Sequence, residues 1–140
     1  MSEENVEFVK GLFAAAAPTN KDAFLAALPQ LIAQGAHPDV EWVEASERFD
    51  SQTYRGHAGV RQSLERWLDE WDEYGVEPDR LVDCGDEVFV AFREIARGQT
   101  SGANVTLRNY AVFTIREGKL ARYQEFLDEH AALRAVGLEA

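Results

Sequence analysis

The stretch Val105-Thr106-Leu107-Arg108-Asn109-Tyr110-Ala111-Val112-Phe113-Thr114-Ile115-Arg116-Glu117-Gly118-Lys119-Leu120-Ala121-Arg122-Tyr123-Gln124-Glu125-Phe126-Leu127 decides the fold. Apolar residues recur at every second position on both sides of Glu117-Gly118, which is the signature of two half-buried strands joined by a tight turn. A turn of Arg116-Glu117-Gly118 with a glycine bulge pairs Ile115 with Lys119, Ala111 with Tyr123 and Asn109 with Glu125. A two-residue turn would move the register and swap these partners. Asn109, Ala111, Phe113, Ala121, Tyr123 and Glu125 then share one face, and Tyr110, Val112, Thr114, Arg122, Gln124 and Phe126 the other.

Upstream, Val76 to Cys84 and Val88 to Arg97 read as two more strands, with Gly85-Asp86 between them as a turn. The face of the second is Val90, Phe92 and Glu94 or else Phe89, Ala91 and Arg93, and the first set is preferred. Further back the period changes from two to 3.6. Residues 3–17 carry Val6, Val9, Leu12, Phe13 and Ala16 on one helical stripe. Pro18-Thr19-Asn20 interrupts it. A second helix covers Lys21 to about Gln34, where Pro29 predicts a kink or two shorter pieces. Val40 to Glu44 is a short strand and Ala45 to Thr53 a polar, mobile loop. A third helix opens at Tyr54 to Val60 with His57 as its cap, and runs to near Tyr74 with Val60, Leu64, Trp67, Leu68 and Trp71 inward. After the hairpin, Asp128 caps a short helix from Glu129 to Val136. Strands gathered after helices predict an α+β fold with an antiparallel sheet.

The chain has 140 residues, enough for one domain over 1–140. Its net charge of −11 disfavours a polyanionic partner or an anionic membrane surface, so neither nucleic acid nor membrane is expected. One cysteine, Cys84, and an acidic N-terminus predict a cytoplasmic protein. His37, His57 and His130 lie on separate elements without metal-ligand spacing, so no metal is expected. Dinucleotide and phosphate-loop fingerprints are absent, and no cofactor is expected. Gly98 to Gly102 is a hairpin loop, since no helix follows it.

Several local strings together resemble one family. They are His37-Pro38-Asp39-Val40-Glu41-Trp42, Tyr54-Arg55-Gly56-His57-Ala58-Gly59-Val60, Gly85-Asp86-Glu87-Val88-Phe89-Val90 and Gly118-Lys119-Leu120. Met1-Ser2-Glu3-Glu4-Asn5-Val6-Glu7 and the Leu127-Asp128 start of the tail complete the order. The chain resembles the SnoaL-like branch of the nuclear-transport-factor-two-like superfamily, which includes ketosteroid isomerases. The resemblance implies three helices against a strongly curved sheet, a cone with an internal cavity, and a homodimer through the outer sheet face. It also implies a small hydrophobic molecule as partner, with cofactor-independent proton transfer of isomerase, cyclase or hydratase type. Binding without chemistry, or a dimeric interaction domain, is the alternative, because this superfamily hosts many activities.

Glu125 follows the hairpin glycine at the interval where SnoaL-type cyclases and limonene epoxide hydrolases carry a catalytic aspartate. The cyclase histidine falls at Ala111, and the hydrolase Arg and Asp fall near Phe92 and Glu94. Glu125, Glu94 and Tyr123 are therefore the candidate catalytic residues, since a carboxylate in an apolar cavity has a raised pKa and can shuttle a proton. Trp42, Tyr54, Trp67, Trp71, Phe92, Asn109 and Phe113 are the candidate ligand contacts. For Trp67 and Trp71 the helical spacing favours plain packing between helix and sheet.

Overall fold

A computed structural model describes residues 2–16, 21–98 and 102–138. The elements in chain order are α1 (Ser2–Ala15), α2 (Lys21–Gly35), β1 (Ala36–Val43), β2 (Thr53–Arg55), α3 (Gly56–Leu68), β3 (Trp71–Cys84), β4 (Glu87–Gly98), β5 (Asn104–Arg116), β6 (Lys119–Phe126) and α4 (Glu129–Ala135). The fold is α+β, with helices packed on a six-stranded sheet in the order β2-β1-β6-β5-β4-β3 that curls without closing. The sheet is mixed rather than antiparallel, because β1 lies parallel to β6. Between β1 and β6 the chain passes through β2, α3 and the β3–β5 strands, and this long connection permits a parallel pairing that a tight hairpin could not make. No helix among the described residues is long and apolar enough to cross a membrane.

The β5–β6 hairpin departs from the expected register in an instructive way. Glu117 and Gly118 both have positive φ, at 56° and 75°, so the turn has two central residues and Arg116 faces Lys119. A bulge between Thr114 and Ile115 then leaves Ala121 as an extra residue. The turn and the bulge each move the pairing by one residue. Parity is therefore restored, and Phe113 opposes Tyr123 while Ala111 opposes Glu125. The predicted faces survive with their partners displaced, except that Leu120 and not Ala121 takes the inner position opposite Ile115. On β4, Val90 pairs with Ala111 and Phe92 with Asn109, so Val90, Phe92 and Glu94 share the inner face.

Three helical expectations are corrected by tertiary pairing. Lys21–Gly35 is one helix with Pro29 inside it, so the alternative of two shorter pieces is the one excluded. Pro29 is exposed, while Leu28 and Ile32 beside it are buried in the core and hold both halves on the sheet. The third helix stops at Leu68, and Trp71 and Tyr74 belong to β3, which pairs along the whole of β4 from Trp71–Gly98 to Cys84–Glu87. Long-range ladder pairing outweighs the local helical pattern there. His57 does not cap α3: the capping position is Arg55, without a side-chain bond, and His57 Nε2 sits 2.9 Å from the Ala36 carbonyl. The loop expected over Ala45 to Thr53 ends in β2, where Tyr54 faces Trp42. Asp128 does cap α4, accepting from the Ala131 amide at 3.2 Å. The expected break at Pro18-Thr19-Asn20, and Gln99 to Ser101 of the glycine loop, lie outside the described residues.

The core sits between the inner sheet face and α1–α3. Phe13 of α1 meets Phe92 at 5.3 Å and Phe113 at 5.8 Å, both edge to face. Phe13→Ala removes these contacts and is expected to lower stability by about 3 kcal/mol, the low end for a buried Phe because its ring borders a void. Denaturant unfolding of the two proteins measures it.

Candidate functional site

A cavity of about 170 Å³ lies between the helices and the inner sheet face. Its wall is apolar from α1, α2, β4 and β5, with Phe13, Leu28, Phe92 and Phe113 among the lining side chains. Polar groups gather at one end: Glu44, Arg48, Ser63, Tyr74, Glu94 and Glu125. An apolar void of about 150 Å³ accepts a benzene-sized molecule, so this cavity suits one ring and not a drug-sized ligand.

Of the sequence-predicted residues, Trp42, Trp67, Phe92, Phe113, Glu94, Tyr123 and Glu125 line the cavity. Tyr54, Trp71 and Asn109 do not. Tyr54 is buried in the β1–β2 pairing and packs on Gly59. Trp71 lies edge-on to Trp67 at 5.6 Å, behind the wall. Asn109 stands behind Glu94 and donates from Nδ2 to Glu94 Oε1.

Glu94 is the most deeply buried carboxylate, at 3% exposure. β4 carries it on the inner face two residues past Phe92, opposite Val76 of β3. Tyr74, also on β3, donates its hydroxyl to Glu94 Oε2. Both carboxylate oxygens therefore have a donor, as a buried polar group requires. Burial pushes the Glu94 carboxyl up to about 7, and the nearby Glu125 charge adds to the rise. The Tyr74 bond, the Arg48 charge and Trp67 hold it from rising further. Tyr74 is itself raised well above the phenol range, first by burial and then by Glu94, so it remains a donor at neutral pH.

Glu125 has a different setting. Its Oε1 forms an ion pair with Arg48 Nη2 at 2.6 Å, and its Oε2 accepts from the Tyr123 hydroxyl at 3.1 Å. Burial raises this carboxyl too, with Arg48 and Tyr123 acting against the rise. Burial, then Glu125 and Glu94, keep Tyr123 protonated. Trp42 stacks on Tyr123 with ring centroids 3.9 Å apart, which fixes the tyrosine's angle. The Arg48 guanidinium lies 4.7 Å over the Trp67 ring. Glu44 accepts from Ser63 Oγ at 2.8 Å and from the Gln52 amide at 3.1 Å, tying the Arg48 loop to α3.

Tyr74 and Arg48 are the functional candidates that sequence reasoning missed. Tyr74 has a findable signal: Tyr74 and Val76 continue the period of two backwards from the β3 strand. Arg48 has none, since a single arginine in a polar loop carries no pattern.

Glu94 makes stability depend on pH with a definite sign. Its folded pKa lies above its unfolded value, so the native state binds the extra proton between pH 4.5 and about 7. Its contribution is fully present below the unfolded value and is lost as pH rises through the folded one. Relative to Glu94→Gln, the wild type is expected to lose on the order of 3 kcal/mol across that window. Denaturant unfolding of both proteins at a series of pH values tests this; parallel curves would contradict it.

The geometry can be set beside known proteins. The model of the SnoaL-like domain matches residues 9–123. No curated protein matches the chain at significant similarity. Among solved structures, the chain is similar to TerC co-crystallised with polyporic acid, with 24% identity, 95% of this chain and 98% of that one covered, and a TM-score of 0.68. A candidate SnoaL-like polyketide cyclase from Jannaschia sp. CCS1 aligns with 18% identity, coverage of 99% and 95%, and a TM-score of 0.75. A protein of ketosteroid-isomerase-like fold from Catenulispora acidiphila, in complex with trimethylamine, aligns with 16% identity, coverage of 94% and 93%, and a TM-score of 0.67. These likenesses establish the fold, and the family match spans most of the sequence: the chain belongs to the SnoaL-like domain family.

Proposed function

We propose that the cavity binds a small, largely apolar molecule of about one ring and moves a proton on it without a cofactor, with Glu94 as the acid–base. The observation that carries this is the Glu94 carboxyl, buried in an apolar cavity and held between the Tyr74 hydroxyl and the Asn109 amide. A group that titrates near neutrality is suited to take a proton from carbon beside a carbonyl and return it at a second carbon or oxygen. Tyr123, protonated, supplies its hydroxyl to the oxygen on which charge develops by turning it from Glu125, while the Tyr74 hydroxyl keeps donating to Glu94. Glu125 is ion-paired with Arg48, whereas Glu94 is held by two neutral donors and only feels the Arg48 charge, which separates the settings of the two carboxyls. Glu125 is then an electrostatic neighbour of the reacting group. That two of the similar structures hold small molecules supports a small-molecule cavity. A single domain over 1–140 and a homodimer through the outer sheet face belong to the same reading, supported by the family.

Binding without chemistry is the second reading. It is favoured by the closed Arg48–Glu125 pair, which leaves one carboxyl outside an ion pair where paired acids would drive hydrolysis.

Solvent deuterium incorporation beside the carbonyl of 2-cyclohexenone, followed by NMR, distinguishes the two. The expected rate rises with pH through about 7, as Glu94 becomes a base. Glu94→Gln is expected to lose about 100-fold or more and Tyr74→Phe roughly tenfold. Exchange equal in wild type and Glu94→Gln would leave binding as the function.

A further inference from the structure

We propose that the polar end of the cavity is a site for a small organic cation, a protonated amine on a one-ring apolar body, and that the Arg48 guanidinium occupies this site in the free protein. This names the ligand class of the cavity; it rests on the cavity taking a small molecule, not on Glu94 moving a proton.

Arg48 enters from the loop between β1 and β2. Its guanidinium lies over the Trp67 face at 4.7 Å and meets Glu125 Oε1 at 2.6 Å. An aromatic face and a carboxylate on one cation are the two contacts by which proteins recognise ammonium ligands. The surroundings have the same preference. Glu44, Glu94 and Glu125 line the cavity, and Arg48 is its one basic side chain among the described residues. Glu44 is already paired with Arg66 at 3.4 Å, so an anionic ligand on Arg48 would sit beside Glu94 and Glu125. A cationic ligand replaces Arg48 on contacts already built, and its ring fills the apolar part beside Phe92 and Phe113.

The exchange requires only a side chain to move. The loop is held by bonds that do not involve Arg48: the Leu127 amide donates to Glu47 Oε2 at 3.2 Å, Arg66 meets Asp50 at 3.7 Å, and Glu44 accepts from the Gln52 amide at 3.1 Å. The Arg48 side chain is 21% exposed, so it borders solvent and can swing outward. Trp42 and Tyr123, stacked beside Glu125, remain as further aromatic wall.

Benzylamine, benzyl alcohol and benzoate have nearly one size and three charges. Calorimetric titration of each into the full chain, and into Arg48→Gln and Glu125→Gln, at pH 8 tests the proposal. The protonated amine is expected to bind about tenfold more tightly than the alcohol, with benzoate weakest. Arg48→Gln removes the internal competitor and is expected to tighten the amine by about tenfold, while Glu125→Gln weakens it by a similar factor. Should Glu125→Gln fail to fold, the charge series on wild type and Arg48→Gln decides. Preference for benzoate, affinities independent of charge, weaker amine binding in Arg48→Gln, or no binding of any probe would each overturn it. Charge-independent binding with Glu94-dependent deuterium exchange intact would remove the cation and leave the reaction. Selective amine binding without exchange would do the reverse.

Discussion

A sheet that buries one face around a void must keep alternate residues in phase across every strand. The centre of this protein depends on that constraint. Phe92 and Glu94 on β4, Asn109 and Phe113 on β5, and Tyr123 and Glu125 on β6 reach the same side only because their ladders agree in parity. A one-residue slip in the hairpin would turn Tyr123 and Glu125 outward. The positive-φ turn at Glu117-Gly118 introduces such a slip, and the bulge at Ala121 cancels it. The bulge is thus a register device that keeps two polar groups inside.

Having forced carboxyls inward, the fold must satisfy them. Glu94 receives two neutral donors, and its charge is opposed chiefly by loss of water. Glu125 receives a guanidinium and a hydroxyl. The neutral setting leaves a proton near balance at physiological pH, and the charged setting supplies a local countercharge. Asn109 and Tyr74 come from the strands on either side of β4, so the Glu94 arrangement needs three strands in register at once. This ties the site chemistry directly to the same alternation that builds the core.

The helices set the size of what can enter. Phe13 and Leu28 close the cavity from α1 and α2, leaving about 170 Å³. Pro29 is tolerated because its helix is clamped on both sides of it by Leu28 and Ile32. The polar end is closed instead by a loop, and by one flexible side chain within it. Arg48, 21% exposed, borders solvent at that end, while Phe13, Phe92 and Phe113 pack edge to face in the apolar wall.

From the sequence alone come the alternation on β5 and β6, with Asn109, Phe113, Tyr123 and Glu125 on one face, and two possible faces for β4, of which the preferred one carries Phe92 and Glu94, because a period of two is a local property of the chain. The sequence also determined the α4 cap at Asp128 and the α+β order. Only the tertiary structure decided where α3 ends, since Trp71 and Tyr74 fit a helical stripe and become strand through long-range pairing with β4. It likewise decided the parallel β1–β6 contact and the different surroundings of the two carboxyls. The resemblance points to Glu125 first, yet Glu94 has the more buried setting, between neutral donors. That difference comes from Arg48, 77 positions before Glu125 in the chain and 2.6 Å away in space. A lone arginine in a polar loop has no periodicity to reveal it, and Coulomb energy depends on distance in space rather than along the sequence.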